Sequence, residues 1–313
     1  MTPSIKIGSR ASELALYQAE LVKSLLKAHA PTLSVEIIPI STEGDERQEQ
    51  SIADLGGKGV FVKGLEAKLL SKEIDFAVHS FKDLTSKQPD DLCLAGFLPP
   101  ESQADVLVFQ KGMTVEKLEK GGLIGTGSLR RKRILKTLFP KCECVPIRGN
   151  IRTRLSYLEK DLDAVMLSEV SLTRLGIRSF STYRLNPLDH LPAPGQGALA
   201  IQCRRSDSAL MSMIQTICDA DESLIRSAEY EVMSGIGFDC SLPLGMLTLL
   251  KDNRLSMAIQ LGGQQVSTGD SSAVRSFYLQ EQIPLESEGY QPAILKIVTA
   301  LKQLVSNDYE RGS

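Results

Sequence analysis

No apolar run in the chain approaches the roughly 20 residues that span a bilayer. Its first residues, MTPSIKIGSRASELAL, lack the basic start and apolar core of a secretory signal. The expectation from these two absences is a cytoplasmic protein that does not enter a membrane. Histidine occurs three times (His29, His79, His190), with no pair at i, i+4. Of six cysteines (Cys93, Cys142, Cys144, Cys203, Cys218, Cys240), only Cys142 and Cys144 lie close together. A structural zinc site usually draws four ligands from two spaced pairs, so no metal is expected. The cysteine spacings form no disulfide framework either, which agrees with a reducing compartment. Excess charge is also missing: 36 Lys and Arg against 38 Asp and Glu leave −2. The protein is therefore not a general polyanion binder.

Charge is nonetheless uneven along the chain. From Arg130 to Arg154 there are nine Lys or Arg residues and one acid, Glu143. An anionic partner fits that segment. Nucleic acid does not, because only Phe139 interleaves the cations and no stacking platform results.

With 313 residues the chain exceeds one ordinary core. Short β-like runs alternate with helical periods over the first two hundred residues. Strands are read at 5–9, 34–40, 74–78, 92–98 and 104–110, with helices from Ser12 and over 60–73. In the first helix Leu14, Leu16, Leu21, Leu25 and Leu26 are read as one face. The pattern restarts with strands at 123–127, 142–147 and 163–167, each followed by a helix. Two α/β domains are expected, with Pro99-Pro100 and Pro192–Gly197 as crossings. Beyond about residue 216 a helix, a hairpin around KDN and a last helix read as a small α+β domain. The expected units are 1–98 with 198–215, then 99–197, then 216–313.

Several constellations carry chemistry. GTGSLRRKR (125–133) is a strand-to-helix turn with Thr126, the N-cap candidate Ser128, and Arg130 and Arg131 in the first helical turn. Free backbone N–H groups at a helix start favour anions, and two arginines there oppose the helix dipole unless an anion is present. A solvated basic face is the plain alternative. PIRGNIRTR (146–154) repeats the arrangement with Arg148, Arg152 and Arg154. Arg10 ends the first strand and Arg174 follows the strand DAVML. Ligands of open α/β sheets bind at the carboxyl ends of strands, and arginine's planar fork suits carboxylates or phosphates. VHSFKDL (78–84) supplies His79, Ser80, Lys82 and Asp83 at another strand end. LGGKGVF (55–61) lacks phosphate-loop spacing and reads as a Gly-rich loop carrying Lys58. LPAPGQGALAIQCR (191–204), with Gln196, reads as a hinge running into a strand. Cys240, in GFDCSLPLG, sits on a Gly/Pro-punctuated turn, where a buried structural thiol is out of place.

Taken together, Arg10-Ala11-Ser12, GGKGVFVK, VHSFKDL, GTGSLRR, IRGNIRTRL, TRLG, PAPGQGALAI and DCSLPLG resemble the porphobilinogen deaminase (hydroxymethylbilane synthase) family in order and spacing over about residues 5–245. The resemblance implies two domains like type II periplasmic binding proteins, plus a third carrying a cysteine loop. It implies a transferase that joins four porphobilinogen units into hydroxymethylbilane, releasing ammonia, as a monomer that passes its product to the next enzyme. It implies a dipyrromethane cofactor attached through Cys240, with Asp83 as the catalytic carboxylate. Lys82, Thr126, Ser128, Arg130, Arg131 and Arg154 fall on cofactor positions. Arg10, Ser12, Lys58, Ser80, Arg148, Arg174 and Gln196 fall on substrate positions. Loss of ammonia leaves an electron-poor cation that a carboxylate stabilises.

The chain departs from the family pattern at Glu13 (usually Pro), Gly64, Gly127, Leu84-Thr85, Glu169-Val170-Ser171, Gln202 and Phe238-Asp239 (usually Gly-Gly). A carboxylate beside Cys240 disfavours the thiolate. Two alternatives stay open: an impaired, divergent deaminase, and a non-enzymatic two-lobed module for anions. The second leaves Cys240 and the third domain without a purpose.

Overall fold

The computed structural model describes residues 4–41, 59, 62–238, 242–262, 276–284 and 290–310. Three sheets organise them. The first uses β1 (Ser4–Arg10), β2 (Ser34–Ile40), β3 (Phe76–Ser80), β4 (Leu92–Leu98) and β10 (Leu199–Arg204), in the order β2-β1-β3-β10-β4. The second uses β5 (Asp105–Phe109), β6 (Gly122–Gly125), β7 (Cys142–Val145), β8 (Ala164–Ser168) and β9 (Thr182–Arg184), in the order β7-β6-β8-β5-β9. The topologies match: three parallel strands, then one reversed strand, then an edge. In each sheet the reversed strand, β10 or β5, is the one reached by crossing from the other sheet.

Burial explains which strands are central. The residues of DVLVF and AVMLS are buried throughout, as expected where helices cover both faces of a sheet. Polar residues in such strands need partners. His79 on β3 and Gln202 on β10 are diagonal neighbours, since His79 pairs with Ala200, and they hydrogen-bond at 3.1 Å.

Helix α1 (Glu13–His29) is capped by Ser12, whose side chain accepts from the Ala15 amide. Its buried stripe is Ala15, Gln18, Ala19, Val22 and Leu26. Leu14, Leu16, Leu21 and Leu25 lie half-buried on its flanks, so of the five leucines only Leu26 belongs to the buried stripe. The helix read over 60–73 is α2 (Lys63–Leu70). Helices α3 (Val115–Leu118), α4 (Leu129–Leu138), α5 (Ile151–Ser156) and α6 (Glu169–Arg174) accompany the second sheet, and α7 (Ser208–Gln215) packs on the first.

The C-terminal region combines α8 (Ala220–Gly235), α9 (Gln291–Glu310) and the antiparallel strands β11 (Leu244–Lys251), β12 (Arg254–Gly262) and β13 (Ser276–Pro284). The expected hairpin is present, and Asp252 and Asn253 both take positive φ, the tight-turn conformation that matches strand twist. A third strand, β13, lies beside it. This region shares a core with the first sheet: Phe81, Phe97 and Ala200 cluster with Val232, Met233 and Met257. Among the described residues, no helix is long and apolar enough to cross a membrane.

The crossover at 191–198 touches every sheet. Met246 donates to the Pro192 carbonyl at 2.8 Å, and Phe81 donates to the Ala198 carbonyl at 3.0 Å. Gly195 has φ +58°, and a Cβ there would lie 1.8 Å from Cδ1 of buried Phe81. Gly195→Ala is expected to lower stability by about 3 kcal/mol through overpacking and a left-handed alanine, read as a shifted midpoint in urea.

Candidate active site

The carboxyl ends of β1 and β3 face one concavity. Arg10, Ser12, Gln18, His79, Ser80 and Asp83 line it with a few apolar side chains. Asp83 closes a 3-10 turn, Phe81–Asp83, that follows β3 directly. Gln18, only 3% exposed, donates through Nε2 to Ser80 Oγ at 2.9 Å. Burial pushes the His79 pKa down to about 4, against the opposing hydrogen bond to Gln202. His79 is thus neutral at physiological pH, donating from Nε2 to Gln202 Oε1. Gln202 in turn donates to Glu66 at 3.2 Å and to Gln88 at 2.9 Å.

Lys82 reaches from the first sheet to the second, its Nζ lying 3.5 Å from Ser168 Oγ. Burial, then the charge of Arg131, pushes its pKa down to about 8, while Asp83 and Asp105 work to raise it. Beside it lies a buried ionic cluster built on Asp105. Arg130 Nη1 donates to Asp105 Oδ2 at 2.6 Å and to the Leu191 carbonyl at 2.9 Å. Arg131 Nε donates to Asp105 Oδ1 at 2.9 Å, and its Nη groups donate to the Met166 carbonyl and to Gln196 Oε1. Gln196 Nε2 returns a bond to Asp105 at 3.0 Å. Burial alone would raise the Asp105 pKa; the two guanidiniums outweigh it and hold the carboxyl well below the usual carboxylate range.

The backbone explains why the arginines sit there. Strands β6 and β7 run parallel, so their following turns open on the same side. Ser128 caps α4 by accepting from the Arg131 amide, and buried Thr126 accepts from the Ser128 amide. Asn150 caps α5 in the same way, placing Arg154, whose Nε donates to the Gly149 carbonyl. Burial, then the charge of Arg131, pushes the Arg154 pKa down to about 10; Asp83 opposes this and Arg148 adds to it. Arg148 itself is exposed. Arg174 is elsewhere: it donates to Glu101 at 2.8 Å and to the Gly197 carbonyl at 2.8 Å, tying the two crossovers together. Cys240 and Lys58 lie outside the described residues, as does Asp239.

Gln18, Asp105 and Gln202 did not stand out in the sequence as site residues. Each had a signal: a polar side chain within an otherwise apolar stripe or strand, which has to find a partner.

The family model "Porphobilinogen deaminase, dipyromethane cofactor binding domain" matches residues 5–212. A porphobilinogen deaminase of Limosilactobacillus reuteri is 40% identical over 259 residues, spanning 82% of this chain and 85% of its own. One from Chromobacterium violaceum is 36% identical over 271 residues, spanning 86% of each. Among solved structures, the periplasmic VFT2 domain of Bordetella pertussis BvgS is 20% identical with a TM-score of 0.42, over 69% of this chain and 87% of that domain. An ancestral cationic amino acid solute binding protein is 14% identical with a TM-score of 0.42, over 75% of this chain and 96% of its own.

Asp105→Asn removes the countercharge of two buried guanidiniums. It is expected to cost about 3–5 kcal/mol of stability, measured by denaturant titration, because uncompensated buried charge is left behind.

Proposed function

The chain belongs to the porphobilinogen deaminase family, and from that premise we propose how its own residues join four porphobilinogen molecules head to tail into hydroxymethylbilane. The activity is a transferase reaction of tetrapyrrole biosynthesis that releases ammonia at each addition. The observation that carries the assignment of roles is electrostatic: Lys82 and Arg154 are both depressed by burial and by neighbouring cations, with Asp83 among them. Half-buried cations that repel one another favour a ligand bearing several carboxylates.

Dipyrromethane supplies a primer, itself carrying carboxylates, to which the incoming pyrroles are added. The donor set fits such a group, and Thr126, Ser128, Arg130, Arg131, Arg154 and Lys82 are the residues we assign to hold it. Cys240 is the attachment point in this reading. Arg10, Ser12 and Ser80 at the concavity, together with exposed Arg148, bind the incoming substrate, and Lys58, outside the described residues, is assigned the same role. Gln196 and Arg174 serve the substrate side through the crossovers that they fix.

Asp83 has the central role. Its carboxylate accepts pyrrole N–H bonds and faces the positive charge that develops as ammonia leaves. It can also hold the proton that moves between amine and ring carbon. His79, buried and neutral, adds no competing cation beside it at physiological pH. The protein is read as a cytoplasmic monomer; the cysteines Cys93, Cys142, Cys144, Cys203 and Cys218 are all free thiols, as a reducing compartment requires.

Intact-mass measurement of the purified protein is expected to show a covalent addition that is lost in Cys240→Ser. Asp83→Asn is expected to keep the fold and the addition but lose at least about a hundredfold in kcat. An unmodified, fully active wild type, or near-normal turnover by Asp83→Asn, would reject these roles. A second expectation concerns pH. Lys82 is charged in the folded protein only below about 8, so carboxylate binding weakens as pH rises through that value. The profile of kcat/KM should break downward near that pH, and the break should move to higher pH in Lys82→Arg. A profile unaffected by this substitution would count against the role of Lys82.

A further inference from the structure

Helix α8 carries an ionic triad that the roles above leave unused. Arg226 Nε donates to Glu222 Oε1, and Arg226 Nη1 donates to Glu229 Oε2 at 2.6 Å. Glu229 is 0% exposed and Arg226 1%. Two carboxylates against one guanidinium form an expensive buried arrangement, and well-packed apolar residues commonly serve stability better. Glu229 Oε1 is moreover buried without any hydrogen bond. Stability alone does not account for this residue.

Its partner outside its own helix is informative. Glu229 Oε2 accepts from the Gly195 amide at 2.8 Å. Gly195 packs on the Phe81 ring and precedes Gln196, which bonds Asp105 and accepts from Arg131. Phe81 begins the turn that ends in Asp83. The next residue on α8, Tyr230, grips the far side of that turn: its ring meets Phe81 edge-on at 6.4 Å, and its hydroxyl donates to the Thr85 carbonyl at 3.2 Å. Helix α8 then ends at Gly235, five positions before Cys240.

We propose that Glu229 is a positioning residue, which through the Gly195 amide sets the 192–198 crossover and with it both the Phe81–Asp83 turn and the Gln196–Arg131 contact. One hydrogen bond from the C-terminal region thereby fixes helix α8, which precedes Cys240 in the chain, against both halves of the site. The inference rests on the assignment of Asp83 and the arginines given above, but the link itself is a structural statement with its own readout.

The test compares Glu229→Gln, which keeps an acceptor for the Gly195 amide, with Glu229→Leu, which removes it at similar volume. Turnover of porphobilinogen is measured below both melting transitions and normalised to folded protein. Glu229→Leu should lose about tenfold or more in kcat, with KM within about threefold, and Glu229→Gln should restore kcat to within about threefold of wild type. Equal loss in both variants, or wild-type kcat in Glu229→Leu, overturns the proposal. Amide exchange is read on the same proteins independently of turnover. Peptides covering 80–85 and 192–198 should exchange about tenfold faster in Glu229→Leu and at the wild-type rate in Glu229→Gln. Unchanged exchange in Glu229→Leu overturns the link. Absent turnover in the wild type, with this exchange pattern intact, faults the functional reading while supporting the link. If Glu229→Leu does not fold, Glu229→Gln decides alone: retained protection and kcat support the proposal, and a tenfold loss of kcat with protection retained overturns it.

Discussion

A single carboxylate, Asp105, holds the arginine-rich face of the molecule in place. It sits at the start of the all-buried strand β5, where an unpaired charge could not persist. Arg130 and Arg131 come to it from the first turn of α4, and Gln196 comes from the returning crossover. The interaction is thus a three-way junction between a strand, a helix start and the connection back to the first sheet. It also leaves the guanidinium pair with a net positive charge, because one carboxylate cannot neutralise two arginines. Structural order and a standing electrostatic demand arise from the same contact.

Several departures from the family pattern are absorbed locally. Glu169 accepts from Ser102 and Arg184 at the first crossover, so an acid in a usually apolar stretch becomes a strut between strands. Gln202 bonds His79, Glu66 and Gln88 in the first sheet. A Cβ on Gly127 would lie 2.8 Å from the Ile147 carbonyl, so a hydroxyl-bearing residue would meet backbone at that turn. Glu13, at the start of α1, accepts from Arg152 on α5 through bonds of 2.6 and 2.7 Å. Buried Phe238 joins the core that the C-terminal region shares with the first sheet.

Much of the fold was legible because strand and helix periods differ and turn residues mark their boundaries. The βα alternation located four strands of the first sheet, β10 was read from the crossover that runs into it, and capping residues Ser12 and Ser128 marked real helix starts. Strands β9 and β13 were not legible. The exposed residues Thr182, Tyr183 and Arg184 carry no alternation, and SFYLQEQIP contains Gln and Glu that read equally well as loop. At the site, Arg10, Ser80 and Asp83 came together as strand-end logic suggested, and Ser12, placed by the resemblance, lines the same concavity. The roles of Asp105, Glu229 and Gln18 were hidden because pairing between residues far apart in sequence leaves no local period. Arg174 shows the converse: its place after a strand suggested a ligand contact, whereas tertiary packing gave it to Glu101 and Gly197.

The charge balance of the cleft bears on how Asp83 acts in the proposed reaction. Lys82, Arg131 and Arg154 all feel Asp83, and their fields offset its negative charge. Such a carboxylate is poorly placed to attract a developing cation. Carboxylates of a bound pyrrole chain change this by pairing with the surrounding cations and removing the field that opposes Asp83. Substrate binding then does more than position the reacting carbon. It exposes the negative potential of Asp83 at the stage when ammonia departs, in a site whose buried dipoles need little reorganisation. In the proposed reaction an arginine-rich site around Asp83 is cooperative, because each substrate carboxylate that is bound strengthens the group assigned to the chemistry.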